Sequence, residues 1–202
     1  MNNYFLELTT FPDEDLKVIT DFFWSSLYPE HTARTTILPN NKIGQYVTYF
    51  DFDNIKIPME IFSIFLKYPM LARNCLIIES HPGHGTMIHI DGRATNESRR
   101  CAINFPITGG NKLSPTRFFG MLDDYEHVFV EKFSTTYLAN GVIPKEVAQI
   151  SIIDKPVLLN VKAWHTIDNR STEPRIALSW TCSNRLEFMA AAQTLKNSGF
   201  AG

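Results

Sequence analysis

Two short segments far apart in the chain hold the side chains best suited to chemistry. One is His89-Ile90-Asp91, inside Gly85-Thr86-Met87-Ile88-His89-Ile90-Asp91-Gly92. The other is Trp164-His165-Thr166, followed ten residues after His165 by Arg175 in Pro174-Arg175-Ile176-Ala177-Leu178-Ser179-Trp180. Together they supply two imidazoles, one carboxylate and one guanidinium. Two His and one carboxylate form a facial ligand set that suits non-haem Fe(II) and leaves coordination positions open. A guanidinium beside such a set is what a site needs if it also holds a dicarboxylate co-substrate.

Strand geometry brings the first pair together. Residues i and i+2 of a strand share a face. His89 and Asp91 therefore project side by side with Met87, while Thr86, Ile88 and Ile90 point the other way. His165 follows the strand-like run Pro156–Ala163, which carries it toward the metal. After the turn-rich stretch Asp168–Pro174 another strand begins, with Arg175, Ala177 and Ser179 on one face and Ile176, Leu178 and Trp180 on the other. Each piece alone has an ordinary reading. His-x-Asp is common by chance, and a single arginine is most often a solvated charge. Their order and spacing make the conjunction specific. His81 and His84 offer a rival ligand set with His89, but Pro82 and two glycines make that stretch a loop that orients neither ring. A role at a pocket rim is equally open for them. His31 and His127 have no partner pattern.

The surrounding elements read as strands with helices around them. Pro12 to Leu27 carries Leu16, Ile19, Phe22, Phe23 and Leu27 at helical spacing after the acidic Asp13, Glu14 and Asp15. Pro58 to Lys67 and Arg185 to Lys196 read as further helices. Strand-like runs cover Cys75–Glu79, Thr86–Ile90, Arg100–Ile107, Arg117–Leu122, His127–Phe133, Ala148–Ile153, Val157–Ala163 and Arg175–Cys182. Short strands separated by turn signals are the pattern of a barrel or sandwich. The loop Thr108–Thr116 contains Gly109 and Gly110, which allow either motion over a pocket or a plain surface connection.

The arrangement His-x-Asp, then His, then Arg-x-x-x-Ser resembles the Fe(II)/2-oxoglutarate-dependent dioxygenases. The resemblance covers Asn74 to Cys182. The loop His81-Pro82-Gly83-His84-Gly85 fills the place of the lead-in to the metal strand. The stretch from Asp91-Gly92 through Arg99–Ile107 is similar to the prolyl and aspartyl/asparaginyl hydroxylase branches. The resemblance implies a mainly β fold, a double-stranded β-helix (a cupin-like jelly roll) with flanking helices. With the helices read above, a single domain is expected over residues 1–202: a helical part at about 1–73, the jelly roll at about 74–183 and a terminal helix at about 185–196. The resemblance implies that His89, Asp91 and His165 hold Fe(II), that 2-oxoglutarate chelates the metal, and that Arg175 pairs with its far carboxylate. Ser179 adds a hydroxyl to that carboxylate, and Asn104 is a further amide donor to the co-substrate. O2 is consumed, and succinate and CO2 are released as an amino-acid, peptidyl or other small-molecule substrate is oxidised. Hydroxylation is the simplest outcome. A non-catalytic jelly-roll module that binds a metal or small acid is the alternative.

Bulk properties narrow the remaining choices. The chain has 202 residues, enough for one domain with a sizeable core. Its 19 basic and 21 acidic side chains give a formal net charge of −2, so no electrostatic footprint for nucleic acid or an anionic membrane is expected. Cys75, Cys101 and Cys182 are odd in number and widely spaced, with no zinc pattern or disulfide framework. With no basic and apolar leader at Met1-Asn2-Asn3-Tyr4 and no apolar run long enough to span a bilayer, a cytoplasmic protein is expected.

Overall fold

The structure, a computed structural model, describes residues 3–35, 45–51, 57–67, 74–91, 100–120, 124–130, 135–139, 144–182 and 186–201. The chain opens with β1 (Phe5–Glu7), α1 (Asp13–Phe22), a π-helical turn (Phe23–Leu27) and α2 (Tyr28–Thr35). Then come β2 (Gln45–Asp51), α3 (Met59–Lys67), β3 (Asn74–Ser80), β4 (His84–Gly85), β5 (His89–Asp91) and β6 (Cys101–Thr108). β7 (Thr116–Phe119), β8 (His127–Val130), β9 (Thr135–Leu138), β10 (Glu146–Ile150), β11 (Val157–Asn160), β12 (His165–Asn169), β13 (Arg175–Thr181) and α4 (Phe188–Asn197) complete it.

The expected helix from Pro12 continues beyond Leu27, but through a π turn. Pro29 lies two residues beyond its end. Its ring lacks an N–H and crowds the carbonyl four residues back, so regular α hydrogen bonding is interrupted there. Asp13, Glu14 and Asp15 sit in the first turn of α1, where they complement the helix dipole. Asp15 is buried and accepts two hydrogen bonds from Lys67 at 2.8 and 3.0 Å, which ties α1 to α3.

The strands form two antiparallel sheets curled into a double-stranded β-helix. One sheet is ordered β1-β11-β6-β13-β3-β2 and the other β10-β7-β12-β5-β9-β8, with β4 paired to β12. β13 is central and buried along its whole length. Its Ile176, Leu178 and Trp180 join Cys75, Ile77, Ile103 and Phe105 in the main core, with Ile19, Phe23, Ile61 and Leu195 of the helical layer. Burial of each such large side chain contributes roughly 1.5–3 kcal/mol. The other face of β13 looks between the sheets. There a smaller core of Ala102, Phe118, Val157 and Leu159, with Phe5, Ala148 and Ile150 against it, closes the β1–β11 and β10–β7 flank.

The N-terminal region expected to be helical also supplies β1 and β2, and β2 pairs with β3 along all of 45–51. Of the expected strand Thr86–Ile90 only His89 and Ile90 are strand, in β5; residues 86–88 link it to the short β4. Asp168, placed in a turn from sequence, belongs to β12. The expected runs 117–122 and 127–133 and the expected helix start at Arg185 extend outside the described residues, as does Arg99. Among the described residues, no helix is long and apolar enough to cross a membrane.

Gly109 and Gly110 permit a close approach of backbone to backbone in their loop. A Cβ on Gly109, at φ 69°, would lie 1.9 Å from the Pro174 carbonyl oxygen, and one on Gly110 would lie 2.0 Å from that of Ile152. Both obstacles are backbone, so neither yields by a rotamer change. Ser114 Oγ also donates to the Gly109 carbonyl at 3.0 Å. Gly110→Ala is therefore expected to cost about 1–3 kcal/mol, read as a lower denaturant midpoint. An unchanged midpoint would show that the loop relaxes freely.

Candidate metal centre

His89, Asp91 and His165 meet on the inner face of the second sheet. His165 stands directly opposite His89 in the β12–β5 pair, and their ring centroids are 4.4 Å apart. One ligand atom from each of the three residues lies within 4.8 Å of the others. His89 Nε2 and Asp91 Oδ1 are 3.8 Å apart. His165 is buried, whereas the His89 and Asp91 side chains are 15% and 20% exposed, so access is from the β5 side.

Backbone carbonyls set the state of both imidazoles. His89 Nδ1 lies 2.8 Å from the Met87 carbonyl oxygen, and His165 Nδ1 lies 2.9 Å from that of Ala163. A carbonyl only accepts, so each Nδ1 carries the proton. In the neutral ring Nε2 then presents its lone pair, the arrangement a metal-binding histidine needs. Each acceptor is the residue two positions earlier, so local chain direction alone creates the contact. Asp91 is held by its backbone: its N–H donates to Val161 O at 2.9 Å, and Lys162 Nζ donates to its carbonyl at 2.9 Å. Burial pushes the Lys162 ammonium down, opposed by the Asp91 charge and aided by Arg100.

Arg175 enters the same interior from β13. It is 2% exposed and donates from Nη2 to Thr116 Oγ1 at 3.1 Å. Burial pushes its pKa down to about 10, which leaves it charged at neutral pH. Among the described residues no carboxylate pairs with it. Directly across the β13–β3 pair stands Ser80, whose buried hydroxyl has no hydrogen-bond partner among the described residues. Thr116 is two strand residues from Phe118, the β7 partner of His165. The guanidinium is thus anchored about 7 Å along the sheet from the histidine row.

Two of the expected residues form a separate pair. Ser179 lies four positions beyond Arg175, about 13 Å along an extended strand, and its hydroxyl donates to Asn104 Oδ1 at 2.5 Å. Both Ser179 and Asn104 are buried on the inner face, and the Asn104 amide nitrogen donates to nothing among the described residues. The rival histidines stand apart from the centre. His81 Nε2 is 3.3 Å from Glu79, and His84 is on the exposed β4. His31, left without a role in sequence, is fully buried between Thr48 at 2.6 Å and Glu79 at 2.9 Å.

Three residues near the centre carry no motif signal: Thr116, Ser80 and Tyr137. The β5–β9 register sets Tyr137 opposite His89, with ring centroids 5.7 Å apart. Burial, offset by a hydrogen bond with Thr135 and reinforced by the Asp91 charge, pushes its phenol up, so it stays a protonated donor. Only the cross-strand register places these residues. A surface depression of about 340 Å³ on the outer side of the same sheet, lined by Thr86, Ile88, Arg117 and Asp168 among others, is separate from the triad.

No family model matches the sequence, and no curated protein matches it. Solved structures do match the fold. A prolyl hydroxylase from Trichoplax adhaerens, in complex with a hypoxia inducible factor oxygen degradation domain peptide fragment, aligns with a TM-score of 0.51 at 13% identity, over 91% of this chain and 86% of its own. A prolyl-4-hydroxylase from Pseudomonas putida aligns with a TM-score of 0.46 at 13% identity, over 88% and 90% of the two chains. A 2OG-Fe(II) oxygenase family oxidoreductase from Burkholderia pseudomallei gives 0.44 at 12% identity, over 85% and 94%. In fold, this chain is similar to the Fe(II)/2-oxoglutarate-dependent dioxygenases.

Proposed function

We propose that the protein is an Fe(II)- and 2-oxoglutarate-dependent oxygenase that hydroxylates an amino-acid, peptidyl or other small-molecule substrate. The observation that carries this reading is the shared interior of two features. One is a His-Asp-His set whose imidazoles are already in the metal-binding tautomer. The other is a buried guanidinium with no carboxylate among the described residues. A buried charge without a partner costs several kcal/mol on the order-of-magnitude scale, and a bound carboxylate would offset that cost. The peptide held by the Trichoplax prolyl hydroxylase supports a peptidyl or small substrate. In this reading residues 1–202 act as one domain.

His89, Asp91 and His165 would hold Fe(II), with Met87 and Ala163 keeping both rings in place through their carbonyls. Arg175 would clamp the far carboxylate of 2-oxoglutarate, with Thr116 orienting the guanidinium and the free Ser80 hydroxyl donating beside it. Asn104, its oxygen engaged by Ser179, would turn its amide N–H toward the co-substrate. When bound, Fe(II) and 2-oxoglutarate supply the O2 chemistry: one oxygen atom goes to succinate as CO2 leaves, and the other replaces a substrate C–H with C–OH. The protein's share is geometry, charge compensation and a pocket shielded from water.

Anaerobic protein mixed with Fe(II) and 2-oxoglutarate is expected to show the weak visible charge-transfer band of the chelate. His165→Ala and Asp91→Ala are expected to lose the band and bind metal at least about 100-fold more weakly, with the fold retained by circular dichroism. No band in folded, metal-loaded protein would leave a non-catalytic binding module as the better account.

The carboxylate anchor is tested by titrating 2-oxoglutarate into the metal-loaded protein. Arg175→Ala is expected to weaken binding about 100-fold, or roughly 2.7 kcal/mol. Ser80→Ala removes one neutral donor and is expected to weaken it about fivefold. Equal affinity in both variants and the parent would move the anchor elsewhere.

A further inference from the structure

One row of side chains crosses the second sheet on its inner face. Phe118, His165, His89, Tyr137 and Val128 are successive cross-strand partners on β7, β12, β5, β9 and β8. Exposure rises along it. Phe118 is fully buried and His165 nearly so, whereas Val128 is 54% exposed. The neighbouring row is Asp91, Thr135 and Val130. The metal centre therefore opens toward the β9–β8 hairpin, away from the flank closed by Phe118.

The other sheet provides the facing wall. Register from Arg175, Ala177 and Ser179 carries the inner face to Ser80, Ile78 and Leu76 on β3, then to Val47 and Tyr49 on β2. Val47 and Tyr49 are about half exposed, at 51% and 50%. Among the described residues, the side chains that β2, β3, β8 and β9 turn to this flank carry one charge, Asp51, at the far end of β2. Beside the metal ligands stands the Tyr137 ring, its centroid 5.7 Å from that of His89 and its phenol hydrogen-bonded to Thr135, directly across from Asp91. An uncharged substrate group loses little on entering such a flank. A charged one would be desolvated there, and among the described residues these four strands turn only Asp51, at the far end of β2, toward it.

We propose that the substrate presents an uncharged apolar or aromatic group through the flank between β2–β3 and β9–β8, and that Tyr137 contacts it beside Asp91 as a specificity-determining residue. This rests on the oxygenase reading above.

The test is succinate release by the Fe(II)-loaded protein with 2-oxoglutarate and O2. The probes are N-acetyl amino-acid amides of leucine, phenylalanine and proline against those of aspartate, glutamate and lysine. Uncharged members are expected to raise succinate formation at least about fivefold over the substrate-free rate, and charged members to leave it there. Tyr137→Phe keeps the ring and removes the hydroxyl. It is expected to retain the charge-transfer band and 2-oxoglutarate affinity while KM for a stimulating probe rises about tenfold at near-constant kcat. Val128→Lys, at an exposed position, is expected to bring the acidic probes above the basal rate. Equal stimulation by charged probes, or stimulation by none, would overturn the substrate class. An unchanged KM in Tyr137→Phe would overturn the role of that residue. Absence of the band in the parent protein would instead sink the oxygenase reading, so the two failures are distinguishable.

Discussion

The site depends on a single cross-strand pairing, His165 of β12 opposite His89 of β5. Side chains alternate between faces at every strand residue. A slip of one position would send an imidazole to the outer face, where Ile90 and Trp164 pack. The same register brings Phe118 behind His165 and Tyr137 beyond His89, so it also defines the closed and open ends of the cleft. β5 has only three residues. Its register is nonetheless supported from both sides, by β12 and β9, and by the Asp91 N–H bond to Val161.

Charge compensation separates the two sides of the second sheet. On the outer side, Arg117 has Glu146 at 2.5 Å and Asp168 at 3.1 Å, and its charge is satisfied within the protein. Among the described residues Arg175 has no carboxylate partner, donates to a threonine hydroxyl and is far more buried. The first arginine belongs to a structural ion network. The second keeps a charge in the interior that the described protein does not neutralise. Physically, such a group persists only where the surrounding fold is stable enough to carry it, and β13, buried on both faces at the centre of its sheet, is that place.

Parts of this architecture were legible before folding was considered. The i, i+2 spacing of His89 and Asp91, the helical periodicity of α1 and α3, and the alternation along β13 are local patterns. Local pattern failed where pairing decides the outcome. β2, in a region expected to be helical, is a strand because β3 offers it a full-length edge. β12 extends through Asp168 because β4 and β7 pair with it. Ser179 shares a face with Arg175, and the structure pairs its hydroxyl with Asn104. Parity fixes the face but not the partner, which comes from the β13–β6 pairing.

By itself, the sequence determined which chemical groups are present, which face each takes on its own strand, and that a two-histidine, one-carboxylate set with a nearby guanidinium was available. These follow from residue type and short-range backbone geometry. Only the tertiary structure decided which strands lie side by side. That choice brought His165 to His89, put Ser80 and Thr116 beside Arg175, gave Ser179 to Asn104, and set Tyr137 at the open edge of the metal centre. The reason is that cross-strand neighbours come from chain segments tens of residues apart. Their pairing is selected by burial of both sheet faces together, which no short window of sequence contains.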